Sequence, residues 1–151
     1  MQTITINNLK ELRAFAKKIA RTLKGGEVIG LVGDLGAGKT TFVQALAAEL
    51  GVERPVRSPT FILMQVLETG EAAALKGVTH LCHVDAYRVE DEAELYGVGL
   101  EEFLEDGHTV TVVEWADRAP SLHRFPGYRE LTLRFGDGEA RLVDLERIKL
   151  A

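Results

Sequence analysis

Gly33-Asp34-Leu35-Gly36-Ala37-Gly38-Lys39-Thr40-Thr41 fits G-x-x-x-x-G-K-[ST], and its flanks are those this motif needs. Before it runs the short apolar stretch Val28-Ile29-Gly30-Leu31-Val32, which reads as a buried strand. After it, Phe42 to Leu50 is alanine-rich with apolar residues at helical spacing, and Gly51 supplies a C-terminal stop. Strand, glycine loop and helix in this order make a phosphate cradle. Glycines let successive N–H groups turn inward around phosphate oxygens, and the helix adds its unpaired N–H groups and positive dipole end. Residues Asp34, Leu35, Gly36, Ala37, Gly38, Lys39, Thr40 and Thr41 are thus the candidate nucleotide-binding set. Within it the Lys39 ammonium reaches β- and γ-phosphates, and the Thr40 hydroxyl is a Mg²⁺ ligand.

The chain has 151 residues, the size of one domain, and residues 1–151 are expected to form a single P-loop unit. With 18 Lys and Arg against 23 Asp and Glu, its net charge is −5, so no overall positive field holds nucleic acid and no stable complex with it alone is expected. The single cysteine, Cys82, excludes an internal disulfide. Neither a leader-like start nor a run of membrane-spanning length is present, so a soluble, cytoplasmic protein is expected.

Outward from the loop, Thr3 to Ile6 alternates as a first strand, and Asn8 with Glu11 forms a capping pair for a helix. Leu9, Leu12, Ala16, Ile19 and Leu23 mark its buried face, while Lys17, Lys18, Arg21 and Lys24 read as its solvated side. Two prolines make Val52 to Pro59 irregular. Thr60 to Leu67 and Val78 to Asp85 read as an antiparallel pair with a long connection, and Ala72 to Gly77 gives no clear signal. The acidic run Glu90 to Leu104 divides as readily into two short helices as one, because Gly97 and Gly99 weaken its middle. Thr109 to Glu114 is a buried strand, and Arg129 to Leu145 closes the chain as a hairpin around Gly136-Asp137-Gly138. The fold class is α/β, a P-loop, three-layer arrangement whose mixed sheet has a parallel centre and antiparallel margins.

Hydrolysis at a P-loop also needs an acid near Mg²⁺ and a group that orients water. Asp85 and Glu114 each close an apolar strand, where ligands bind in parallel α/β sheets, and position alone does not divide the two roles between them. Strand alternation puts His83, Asp85 and Tyr87 on one face. It splits His80, Cys82 and His83 between faces, which disfavours a zinc site. Ser58-Pro59-Thr60-Phe61 offers a hydroxyl of the kind that switch segments bring to a γ-phosphate. Trp115, next to Glu114, is read as packed more readily than as a partner surface, and Arg88 is the nearest internal arginine.

In order and spacing, the P-loop, Ser-Pro-Thr-Phe, His-x-Asp-x-Tyr-Arg and Val-Glu-Trp together resemble the TsaE (YjeE) family, the bacterial ATPases of tRNA threonylcarbamoyladenosine synthesis. The resemblance covers Gly33 to Arg118, with Ala116 where the family usually has proline. It implies ATP and Mg²⁺ as cofactors, with Lys39, Thr40 and Thr41 on the phosphates and metal and Glu114 as the second metal ligand. It further implies Asp85 in water activation and Thr60 as the switch-like hydroxyl. The implied partners are TsaD and TsaB, with tRNA met through that complex. A small-molecule kinase is the main alternative, though the stretches Arg54 to Arg57 and Arg118 to Arg129 are poor in the arginines of a phosphate-closing lid. A GTP-driven switch is the second, and it lacks an Asn-Lys-x-Asp base-reading motif.

Overall fold

The computed structural model describes residues 1–57, 64–148 and 150. Seven strands form one mixed sheet: β1 (Gln2–Ile6), β2 (Val28–Val32), β3 (Met64–Glu68), β4 (His80–Asp85), β5 (Thr109–Glu114), β6 (Tyr128–Phe135) and β7 (Arg141–Glu146). Their order across the sheet is β1-β7-β6-β2-β5-β4-β3. The central strand β2 is parallel to both neighbours, β5 and β6, and β4 is parallel to β5. The margins are antiparallel, β3 on β4 at one side and β6-β7-β1 at the other. Central strands are buried on both faces: β2 is apolar along its length, and β5 is buried throughout with Val110, Val112 and Val113 alternating with or adjoining the buried polar residues Thr109, Thr111 and Glu114.

Two helices, α1 (Leu9–Thr22) and α2 (Lys39–Glu49), cover one face, where Phe15, Ile19, Phe42 and Leu46 pack on Ile29, Leu31, Val110, Val112 and Leu131. The Phe15 and Phe42 rings meet with centroids 5.7 Å apart. On the other face α4 (Ala93–Gly97), α5 (Leu100–Glu105) and two 3₁₀ turns, Ala116–Arg118 and Pro120–Arg124, enclose Val28, Cys82, Val84, Val113 and Leu122. The acidic run thus forms two helices, divided at Gly99 in a left-handed conformation. Gly51 ends α2 as expected: its N–H reaches the Ala48 carbonyl and the Val52 N–H the Ala47 carbonyl, the paired bonds of a Schellman stop.

Three local readings change. The Asn8 side chain does accept the Glu11 N–H at 2.9 Å, but Glu11 answers to Asn7, accepting from its backbone and side-chain N–H groups. The capping pair is therefore offset by one residue. In α1 the buried positions are Phe15, Ala16 and Ile19, whereas Leu9 is 48% exposed, because the first turn projects past the sheet beside the glycine loop. Between β3 and β4, Glu71–Leu75 forms a short helix, α3, that buries none of its residues, so no amphipathic period marked it.

Gly30, in the middle of β2, sets how closely the second helical layer approaches. A Cβ there would stand 2.2 Å from the Tyr128 hydroxyl and 2.9 Å from the Ala116 methyl. Gly30→Ala is expected to destabilise the fold by about 1–3 kcal/mol through overpacking. Thermal melting of the variant checks this, and a change within error would mean that the Tyr128 ring has room to move.

Candidate functional site

The site lies at the carboxyl ends of β2, β4 and β5. Leaving β2, the chain enters the loop at Gly33 with φ 154°, where a Cβ would sit 2.5 Å from the Leu133 carbonyl oxygen. It leaves the loop at Gly38 with φ 106°, a left-handed residue that starts α2 without a side-chain cap. The first N–H groups of the helix therefore remain available to an anion. Thr41 is exposed on the outer side of this turn.

Lys39 folds back over the loop. Its Nζ donates to the Gly33 carbonyl and, at 2.9 Å, to that of Asp34. The indole of Trp115 covers it, the Nζ standing 4.1 Å from the ring centre. Burial lowers the Lys39 pKa, opposed by the charges of Glu114, Asp85, Asp34 and Asp117. Four carboxylates are thus arranged around one ammonium.

Thr40, one residue further along α2, donates its hydroxyl to Glu114 Oε1 at 2.8 Å. The other carboxylate oxygen of Glu114 lies 2.6 Å from His83 Nε2. His83 is fully buried and Glu114 nearly so, whereas His83 Nδ1 has no hydrogen-bond partner in the structure. Histidine thus fixes one oxygen of the acid and leaves the other facing the helix start. Among the described residues no three His, Cys, Asp or Glu side chains converge as a metal cage. A divalent cation here would take one carboxylate, one hydroxyl and phosphate oxygens, the sparse protein donor set that suits Mg²⁺.

Asp85 and Glu114 are direct register partners across the parallel β4–β5 pair. Asp85 Oδ1 accepts the Tyr87 N–H at 2.9 Å, a local turn that ends the strand. Burial raises the Asp85 pKa, aided by Glu114 and opposed mainly by the Tyr87 N–H. A carboxyl whose folded-state pKa is raised costs stability once ionised: its contribution is whole below the ordinary value and is lost as pH rises through the raised one. Asp85→Asn is therefore expected to raise the melting temperature at neutral pH, the difference closing below about pH 4. Melting curves across pH test this, and a lower melting temperature for the variant at neutral pH would refute it.

The turn at Asp85 carries Tyr87 out of strand alternation, so of the three polar residues expected on one face only His83 and Asp85 share it. The Tyr87 ring instead packs on Trp115, centroids 4.9 Å apart, and Arg118 lies over both rings at 5.5 and 5.6 Å. Trp115 is half-buried in a left-handed backbone conformation (φ 60°), packed against the second core cluster as expected and covering the lysine as well. Arg88 is exposed, and the arginine beside the site is Arg118. Thr60 lies outside the described residues.

A cavity of about 240 Å³ opens on the far side of the loop, lined by Gly36 to Gly38 and Thr41 together with Asn8, Leu9, Leu12, Leu133 and Arg141. These side chains come from the start of α1 and from the β6–β7 hairpin, and motif reading missed them. Nothing in the sequence sets them apart, since Leu9 and Leu12 fall in the same helical period as the buried Ala16 and Ile19.

A family model for the threonylcarbamoyl adenosine biosynthesis protein TsaE matches residues 6–143. The tRNA threonylcarbamoyladenosine biosynthesis protein TsaE of Bacillus subtilis is 45% identical over 109 residues, which cover 72% of this chain and 63% of that protein. The chain thus matches somewhat under two thirds of that relative's length. The protein of the same description from Rickettsia typhi is 33% identical over 144 residues, covering 95% of this chain and 93% of its own. The crystal structure of YdiB from Bacillus subtilis superposes with a TM-score of 0.72 at 31% identity, covering 95% of this chain and 83% of that one. The chain belongs to the TsaE family of threonylcarbamoyl adenosine biosynthesis proteins.

Proposed function

We propose that this protein is the accessory ATPase of tRNA N6-threonylcarbamoyladenosine formation, binding and hydrolysing ATP with Mg²⁺ in support of the TsaD and TsaB proteins. The observation that carries this reading is the Thr40–Glu114 hydrogen bond, which joins the first turn of the P-loop helix to a strand-end acid. A hydroxyl and a carboxylate held together beside a phosphate cradle are the two protein ligands that a nucleotide-bound Mg²⁺ needs. Bound there, Mg²⁺ supplies charge neutralisation on the β- and γ-phosphate oxygens.

The chain's own groups perform the remaining work. N–H groups of Gly36, Gly38, Lys39, Thr40 and Thr41 hold the phosphates, and Lys39 turns from the Gly33 and Asp34 carbonyls onto them. His83 keeps the Glu114 carboxylate aimed at the helix start. Asp85, next to Glu114 in the sheet, holds the attacking water by accepting its proton, and Thr60 senses the γ-phosphate. The nucleoside lies in the cavity beside the loop, its base against Leu9, Leu12 and Leu133, with Asn8 and Arg141 supplying polar contacts. Hydrolysis by the isolated chain is slow, because Arg118 is committed to the Tyr87–Trp115 stack and a partner completes the charge stabilisation.

Deleting the gene and measuring threonylcarbamoyladenosine in bulk tRNA by mass spectrometry tests the process. The modification is expected to fall sharply, and an unchanged level with no redundant copy present would remove the assignment. Labelled ATP tests the reaction class: transfer to a small acceptor outpacing release of free phosphate would make the protein a kinase instead.

A further inference from the structure

We propose that Arg118 is a positioning residue for nucleotide capture, latching the Trp115 indole as a lid over Lys39, so that phosphates reach the ammonium only when the indole swings aside. The inference rests on the nucleotide reading above and concerns how that same site opens.

Lys39 has almost no open surface. Although it starts the helix that follows the glycine loop, it is only 5% exposed. The Gly33 and Asp34 carbonyls accept from its Nζ, and the Trp115 indole covers that same atom at 4.1 Å from the ring centre. A phosphate oxygen has to come within about 2.7–2.9 Å of an ammonium to accept its hydrogen bond, so a neighbour gives way first. The carbonyls belong to backbone with little room to retreat. A Cβ on Gly33 would stand 2.5 Å from the Leu133 carbonyl oxygen, which shows how closely the loop presses on β6. Trp115 covers the lysine with a side chain, and that is the wall free to move.

The main chain beneath the indole is held. The Arg118 N–H donates to the Trp115 carbonyl at 3.0 Å, and the Ala119 N–H to that of Ala116 at 3.0 Å. Ala116 is buried against β2, its methyl 2.9 Å from where a Gly30 Cβ would stand. Opening is therefore a side-chain event, and two side chains restrain it. The Tyr87 ring packs on the indole with centroids 4.9 Å apart. The Arg118 guanidinium bridges the pair, 5.5 Å from the Tyr87 ring centre and 5.6 Å from that of Trp115.

Arg118 is exposed, and it joins none of the four ion pairs among the described residues, not even with the adjacent Asp117. Its contacts are the two rings, so it serves them and not a salt bridge. A cation over an exposed ring contributes modestly, which suits a latch: the closed lid is favoured and still releases. Two such contacts near the outer limit of the range shift the closed-to-open ratio by about three- to tenfold.

Acrylamide quenching of Trp115, the single tryptophan of the chain, reads the lid without nucleotide. Arg118→Ala is expected to raise the quenching constant at least about twofold while the melting temperature stays within error. Stopped-flow mixing with ATP and Mg²⁺ reads capture: the association rate is expected to rise about three- to tenfold, and in the reconstituted complex the gain falls on KM and not on kcat. Arg118→Lys keeps the charge that attracts ATP and loses the planar stack, so it should move both readouts in the same direction; loss of electrostatic steering alone would slow association instead. Unchanged quenching in the alanine variant would overturn the latch, whatever the nucleotide result. Greater quenching with an unchanged association rate would show that the lid does not control entry, and a lower kcat at unchanged KM would place Arg118 on the phosphates themselves; either overturns the proposal. Absence of ATP binding by the wild-type chain would be a separate result, removing the nucleotide reading and with it the purpose of the lid.

Discussion

Lys39→Ala is expected to lower ATP turnover in the reconstituted complex by at least about 100-fold, the scale on which loss of one preorganised charge-stabilising donor is felt. Lys39 is the only cation that the described structure places between the glycine loop and the Asp85–Glu114 pair, and burial beneath Trp115 leaves little room for water to replace it. Its removal uncovers the Gly33 and Asp34 carbonyls and leaves four carboxylates without their shared counter-charge. Phosphate release measures turnover, and the fluorescence of Trp115, the single tryptophan of the chain, measures nucleotide binding at the same position. Turnover within threefold of wild type would mean that the lysine does not act on the phosphates.

Glu114→Gln tests the metal half of the site. The substitution keeps size and shape, so Thr40 and His83 retain a hydrogen-bonding neighbour while the charge disappears. Mg²⁺-dependent nucleotide affinity is expected to fall at least 10–100-fold, roughly the loss seen when even an outer-shell partner of a metal is removed. Binding in the presence of a chelator should change far less. Equal losses with and without Mg²⁺ would show that the carboxylate serves the loop's architecture and not a cation. The contrast with Asp85 is useful here: Asp85→Asn is expected to abolish turnover while stabilising the fold, as befits a group whose ionised form is held at a cost.

Legibility in the sequence followed locality. The glycine loop, its strand and its helix occupy one uninterrupted stretch, so the residue types of Gly33 to Thr41 carried their own geometry. The apolar runs of β2 and β5 marked a buried parallel centre for the same reason. That Asp85 and Glu114 stand side by side depends on β4 pairing with β5, a contact between residues 29 positions apart that neither stretch encodes alone. The cavity beside the loop is less local still, since Asn8 and Arg141 come from opposite ends of the chain. Trp115 illustrates another barrier: a left-handed backbone at an aromatic residue is rare, and only that conformation lays its ring over Lys39. Net charge is silent on placement, because a sum over the chain is blind to which face of which helix carries the cations.

Under the proposed function, the inward-folded Lys39 would make phosphate capture an exchange rather than an addition. Two loop carbonyls occupy the ammonium, so under the proposed function a phosphate would win only the difference between itself and those internal acceptors. Such a site discriminates by how many oxygens a ligand brings at once. A single free phosphate displaces the carbonyls with little to spare, whereas a polyphosphate that also engages the helix start and the Thr40–Glu114 pair displaces them decisively. The same internal acceptors would retake the lysine as product leaves, which under the proposed function favours emptying the loop after each turnover.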